Sequence, residues 1–382
     1  MARAVRRPLT GPRRWRRPPA DMAVAVTAWV AARAAVALGF LVARGAVDAL
    51  RPGEPPLPLD QGLLAWDGAF YRDIAVIGYG ALPEEALRFF PLFPLLGRLV
   101  GAVLPGGTTT GLIVVANVAA LVAAVLLHRL VVAEGGSHDR AAIAVWLLSL
   151  VPAAAVLAFA YTEALFLALT IGAFLALRSG RWWVVAALGL LAGLCRPSGA
   201  VLVLPIAIEA AKGLRATAAG ELAARAVACL APAAGTGLYL AWVGWRFGDP
   251  MLPLEVQAAG DLRGGWVDPV TRIVDALAAA PDGGVLGEAL HLPWIALFLA
   301  LTVVVGRRLP ASYTAYTVGV LLLALSAESL GSFERYTLTA FPLTIAAAGL
   351  LRPGVGERAV LVTAAAGLVA YTSMVLLAVF VP

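Results

Sequence analysis

The chain has 382 residues, of which 61% are hydrophobic and 14% charged, against about 25% charged in soluble globular domains. That composition excludes a soluble enzyme, a disordered chain and a disulfide-stapled secreted domain, and it makes lipid the solvent for most of the sequence. The net charge of +6 rests almost wholly on arginine, with Lys212 the single lysine. Its placement beside apolar segments points to membrane orientation, with no nucleic-acid partner expected.

In chain order, residues 1–21 form an arginine-rich tail holding Arg3, Arg6, Arg7, Arg13, Arg14, Arg16 and Arg17. The positive-inside rule puts this tail in the cytoplasm. The apolar run after it is too long for the core of a cleaved signal peptide. Residues 22–381 read as a single membrane domain with about eleven spans: 22–44, 109–131, 141–157, 162–178, 182–195, 197–211, 226–246, 286–305, 313–329, 336–351 and 359–380. The fifth and sixth are short and divided by Pro197, so they are candidates for half-helices meeting at the outer surface. Hydrocarbon offers no partners for backbone groups, so every span is expected to be helical and the fold class all-α. With the tail inside, basic residues outnumber acids on the cytoplasmic side and acids outnumber basic residues outside.

Two outer loops are long, 45–108 and 247–285, so chemistry is expected on the outer face. In the first, Phe70, Ile74 and Ile77 recur at helical spacing, which predicts an amphipathic interfacial helix over residues 68–77. The apolar run from Phe89 to Leu96, interrupted by Pro91 and Pro94 and flanked by Arg88 and Arg98, is too short to span and fits a second in-plane helix.

Polar residues that interrupt these patterns are the site candidates. Asp67 stands where a helix N-cap would stand, and it is equally placed as a general base at the membrane surface. Asp73 is expected to point away from it. Arg196 is either a snorkelling arginine or a bidentate phosphate clamp. Arg335 either pairs with its neighbour Glu334 or reaches an anionic head group. Glu163 either caps the following helix or walls an acceptor groove. Arg33, in mid-span, is expected to find an ion-pair partner. Cys195 and Cys229 lie in apolar stretches, and His128, His138 and His291 are scattered. No disulfide, metal or other cofactor is therefore expected.

The run from Trp66-Asp67-Gly68 to Tyr79, followed by Phe89-Phe90-Pro91-Leu92-Phe93-Pro94, resembles the signature of the PIG-V mannosyltransferase family. Tyr161-Thr162-Glu163, Arg196-Pro197-Ser198-Gly199 and Arg335-Tyr336 through Phe341-Pro342 follow in that family's motif order. The resemblance implies a GT-C-like membrane glycosyltransferase of a bacterial plasma membrane, acting on the extracytoplasmic face. Its donor would be polyprenyl-phosphate mannose, and its acceptor a hydroxyl of a glycolipid, lipoglycan or protein. Transfer would invert the anomeric centre, with Asp67 as general base and Arg335 and Arg196 on the donor phosphate. Trp66, Tyr71, Glu163, Glu334 and Tyr336 would line the substrate and acceptor groove. The alternatives are a GT-C enzyme using another lipid-phosphate sugar, and a polytopic lipid or sugar transporter without transferase activity.

Overall fold

The computed structural model describes residues 19–50, 53, 55–214, 217–260, 262–279 and 288–381. Most of the arginine-rich tail and the start of the eighth expected span fall outside them. Among the described residues the fold is all-helical, without strands. The elements are α1 (Pro19–Leu50), α2 (Leu57–Gln61), α3 (Asp67–Ile77), α4 (Leu92–Gly101), α5 (Gly107–Ala133), α6 (His138–Leu150) and α7 (Glu163–Arg178). There follow α8 (Trp182–Cys195), α9 (Val203–Ala210), α10 (Ala219–Phe247), α11 (Leu252–Gln257) and α12 (Pro269–Ala279). The chain finishes with α13 (Leu292–Arg308), α14 (Ala311–Leu325), α15 (Phe333–Leu338), α16 (Phe341–Leu350) and α17 (Val355–Leu376).

Each expected span contains helix, and α1, α5, α10 and α17 are long and apolar enough to cross a membrane. Their outward faces suit lipid, with Leu41, Leu230 and Val362 exposed. Proline divides the others. Pro152 ends α6 in a tight 3-10 turn, Pro197 does the same between α8 and α9, and α16 begins with Pro342 in its first turn. Proline lacks the N–H that continues a helix but is accepted in its first turn. The second interfacial helix lies later than the sequence suggested, at Leu92–Gly101, because Pro91 is its N-cap and Pro94 sits in its first turn. Arg98 therefore lies within α4, one turn before its end, and not beyond it.

Close packing in lipid depends on small residues, since burial from lipid tails gives helices no hydrophobic reason to associate. The α8–α10 contact follows this rule. Gly193 and Gly235 bring the two backbones together beside Pro232, and a Cβ on Gly193 would overlap the carbonyl oxygen of Pro232.

Two polar layers lie at opposite ends of α7. At its C-terminus Arg178 binds Glu209 at 2.7 Å and Glu134 at 2.9 Å. Ser312 donates to Glu209 at 2.6 Å, and Tyr313 donates to Glu134 at 2.6 Å. This network ties α5, α7, α9 and α14 together. The other layer begins at Glu163. With 16 residues, α7 is about 24 Å long, and α8, with 14, is about 21 Å. Hydrocarbon cores are roughly 30 Å thick. The elements that carry the Glu163 layer are thus shorter than a full crossing.

Arg33 does reach partners, but neutral ones. Its Nε donates to Asn117 Oδ1 at 2.8 Å and its Nη2 to the Leu157 carbonyl at 2.7 Å, with the guanidinium over the Trp29 ring. The expected ion pair is replaced by oxygens of a side-chain amide and of the backbone carbonyl of Leu157, the last residue of the 3-10 turn that follows α6.

Candidate active site

Asp67 opens α3, where a carboxylate is favoured by the exposed N–H groups of the first turn. It is not the cap: that position belongs to Trp66, at φ 57° and ψ −120°. A side-chain-bearing residue seldom adopts such a backbone. Two contacts hold it there. The Trp66 indole donates to the Val375 carbonyl at 3.1 Å, and the Asp67 N–H donates to the Tyr161 hydroxyl at 3.3 Å. The carboxylate itself is left to face the neighbouring elements.

Two arginines, Arg335 and Arg88, reach it, and two more arginines and a second acid complete the cluster. Arg335, on α15, donates from Nη1 to Asp67 Oδ2 at 2.6 Å, and its Nε lies 3.5 Å from Glu163 Oε1. Arg196, in the extended link after α8, places Nη1 2.5 Å from Glu163 Oε1 and donates to Thr162 Oγ1 at 3.4 Å. Arg88 Nη2 stands 3.8 Å from Asp67 Oδ1, its guanidinium over the Phe89 ring. Arg263, from the segment between α11 and α12, lies over the Tyr336 ring at 4.5 Å. The same ring faces Arg335 at 5.0 Å and Arg196 at 5.4 Å.

The two carboxylates differ in access. The Glu163 side chain is 2% exposed and the Asp67 side chain 22%. Glu163 therefore serves as the internal counter-ion of Arg196 and Arg335, and Asp67 is the more accessible of the two carboxylates. Burial works against the charge of Arg335, but Asp67, Tyr336 and Glu163 around it hold its pKa well above the ordinary guanidinium range. Burial, with Asp67 and Glu163 nearby, pushes the Tyr71 phenol up. Burial and Asp67 raise Tyr161 likewise. Both phenols stay protonated. Tyr71 sits one turn along α3 from Asp67, donates to Thr162 Oγ1 at 3.3 Å and packs edge-on against Phe89 and Phe93.

The structure thus brings together Asp67, Tyr71, Glu163, Arg196, Arg335 and Tyr336, residues drawn from widely separated parts of the sequence. Tyr71 lies beneath the cluster, buried, and Trp66 shapes the entry to α3 through its bond to α17. Glu334 stands apart. It pairs with His291, whose Nδ1 lies 2.7 Å from Oε1, and not with Arg335. Consecutive residues of a helix point about 100° apart, so the neighbours serve different partners. Asp73 binds half-buried Arg72 at 2.7 Å, away from the cluster. Arg88 and Arg263 were not singled out as site residues, although the position of Arg88 against Phe89-Phe90 was an available signal. Among the described residues, no group of three His, Cys, Asp or Glu side chains is placed to hold a metal ion.

Residues 58–212 match the family described as Mannosyltransferase (PIG-V). Over that stretch the PIG-V resemblance holds. The match takes in Asp67, Arg88, Glu163 and Arg196, while Arg263 and Arg335 lie beyond it. GPI alpha-1,6-mannosyltransferase 2 of Cricetulus griseus is 37% identical over 151 residues, which cover 37% of this chain and 30% of that protein. The chain thus matches under a third of that relative's length. Among solved structures, the archaeal oligosaccharyltransferase AglB from Archaeoglobus fulgidus, in complex with an inhibitory peptide and a dolichol-phosphate, aligns with a TM-score of 0.44 and 13% identity. That alignment covers 96% of this chain and 56% of AglB.

Proposed function

We propose that this membrane protein is an inverting mannosyltransferase that moves mannose from polyprenyl-phosphate mannose to a hydroxyl of a glycolipid, lipoglycan or protein. The observation that carries the reading is Asp67, the more accessible of the two carboxylates in the cluster, set among more guanidinium groups than carboxylates. The family match over residues 58–212 supports mannose as the sugar. The arginine-rich N-terminal tail and the long loops opposite it support a site on the extracytoplasmic face of a bacterial plasma membrane, with the N-terminus in the cytoplasm.

The chemistry follows from charge. Asp67 accepts the proton of the acceptor hydroxyl as that oxygen bonds to the anomeric carbon. The bond from that carbon to the phosphate oxygen breaks, and its electron pair leaves with the lipid phosphate. The donor phosphodiester carries one negative charge and the departing monoester up to two, so negative charge develops on the leaving group. Fixed cations aimed at developing charge lower the barrier without reorganising, and Arg335 and Arg196 supply them. Glu163 keeps both arginines in place. Holding donor and acceptor together in one site converts an encounter into a positioned reaction.

The test is transfer of radiolabelled mannose from polyprenyl-phosphate mannose to a lipid-extract acceptor by the reconstituted protein. Asp67→Asn is expected to lower the rate by about 10²–10⁴-fold, the contribution of a positioned base. Donor binding is expected to persist. A variant that transfers at the wild-type rate would remove Asp67 from the mechanism.

A further inference from the structure

The arginines at this site are not equivalent. Arg196 and Arg335 are compensated by Glu163 and Asp67, and Arg88 faces Asp67. A guanidinium already paired to a carboxylate gains less from a new anion, because one ion pair is loosened to make another. Arg263 is in a different position. Its Nη2 donates to the carbonyls of Leu323 and Ala324, both at 3.1 Å, in the last turn of α14. Its Nε is buried with no acceptor, and it forms no ion pair with a carboxylate, among the described residues.

The backbone fixes this arginine in place. Ser329 N–H donates to the Arg263 carbonyl at 3.0 Å and Glu328 N–H to the Gly265 carbonyl at 3.2 Å, which ties the loop to the segment leading into α15. Gly264 between them has φ +72°, and a Cβ there would run into the Glu328 side chain. The guanidinium is thereby held over Tyr336, the ring that Arg196 and Arg335 also face. Its own burial lowers its pKa, and the positive charges of Arg335 and Arg196 add to this while Tyr336 opposes it. An anion beside it would relieve all of these costs together.

We infer that Arg263 is the principal anchor for the phosphate of a lipid phosphate entering the Asp67 site. This rests on the transferase reading, and it assigns to the second long loop a duty that the sequence placed on Arg335 and Arg196. Arg263 is a binding residue for the phosphate, with Arg335 and Arg196 completing the cradle.

The test uses farnesyl phosphate as probe, with farnesol as its uncharged counterpart, on the full chain in nanodiscs. Wild type is expected to bind the phosphate at least tenfold more tightly than the alcohol, and Arg263→Gln is expected to lose that preference while its farnesol affinity is unchanged. A variant that keeps the preference overturns the inference. Because a variant can misfold, the second measurement is made on wild type. Phenylglyoxal modification of Arg263, read by peptide mass spectrometry, is expected to slow at least fivefold with farnesyl phosphate and not with farnesol. Equal protection by both probes, or by neither, overturns it as well. Failure of the transferase reading would show instead as absent mannose transfer, whatever the probe does.

Discussion

Glu163→Gln tests whether the buried acid is the keystone of the cluster. The wild-type carboxylate is 2% exposed and lies 2.5 Å from Arg196 and 3.5 Å from Arg335. Glutamine preserves shape and one acceptor oxygen but removes the charge. Breaking a buried ion pair from one side costs about 3–5 kcal/mol, because the other charge is left uncompensated. Arg335 keeps Asp67 at 2.6 Å, so the loss falls mainly on Arg196 and belongs at the low end, about 3 kcal/mol. That is a large share of a folding stability of roughly 5–15 kcal/mol. The assay is unfolding in mild detergent, with Glu85→Gln, at an exposed site on the first long loop, as a control expected to stay within about 0.5 kcal/mol of wild type. Adding Arg196→Met to Glu163→Gln removes the orphaned charge, so the double variant is expected to be more stable than Glu163→Gln alone. A Glu163→Gln protein no less stable than Glu85→Gln, or a double variant with strictly additive losses, would refute the counter-ion argument.

Other outcomes follow from the same geometry. Gly193→Ala sets a Cβ against the Pro232 carbonyl and is expected to cost about 1–3 kcal/mol as overpacking, read as a fall in thermal midpoint; an unchanged midpoint would mean that α8 and α10 can part without penalty. Arg335→Ala is expected to weaken donor binding tenfold or more in equilibrium titration, and wild-type affinity would exclude it from the phosphate cradle. For orientation, Glu85→Cys in a Cys229→Ser background is expected to react with an impermeant maleimide added outside intact cells, and reaction only after lysis would reverse the assigned faces.

Helix positions were legible in the sequence because lipid permits little else: long apolar runs must be helical, and proline marks where they break. Four of the charged residues in the cluster were legible for the same reason, since Asp67, Glu163, Arg196 and Arg335 each interrupt or border apolar sequence. Their partners were not. Glu334 and Arg335 are adjacent in sequence, yet one meets His291 and the other Asp67, because a helix turns neighbours apart. Arg263 had no contrast to reveal it, lying in a loop where charge is ordinary. The unusual backbone at Trp66 carries no glycine to announce it, being imposed by bonds to Tyr161 and Val375, residues far along the chain. The short helices α2 and α11 were also unseen, as five and six residues leave too little periodicity to read, and α12 in the second long loop was unseen as well.

The short reach of α7 and α8 has a mechanical meaning for the surrounding lipid. Charged side chains about 24 Å from the opposite polar layer cannot sit level with both surfaces of an unperturbed leaflet pair. For α7 set across a bilayer, that mismatch is expected to be met by local thinning around it, with head groups and water drawn inward. A phosphate carried on a long prenyl tail would then meet Asp67 by sliding sideways into that hollow rather than rising out of the membrane. Thicker host bilayers would deepen the hollow and raise the cost of holding it.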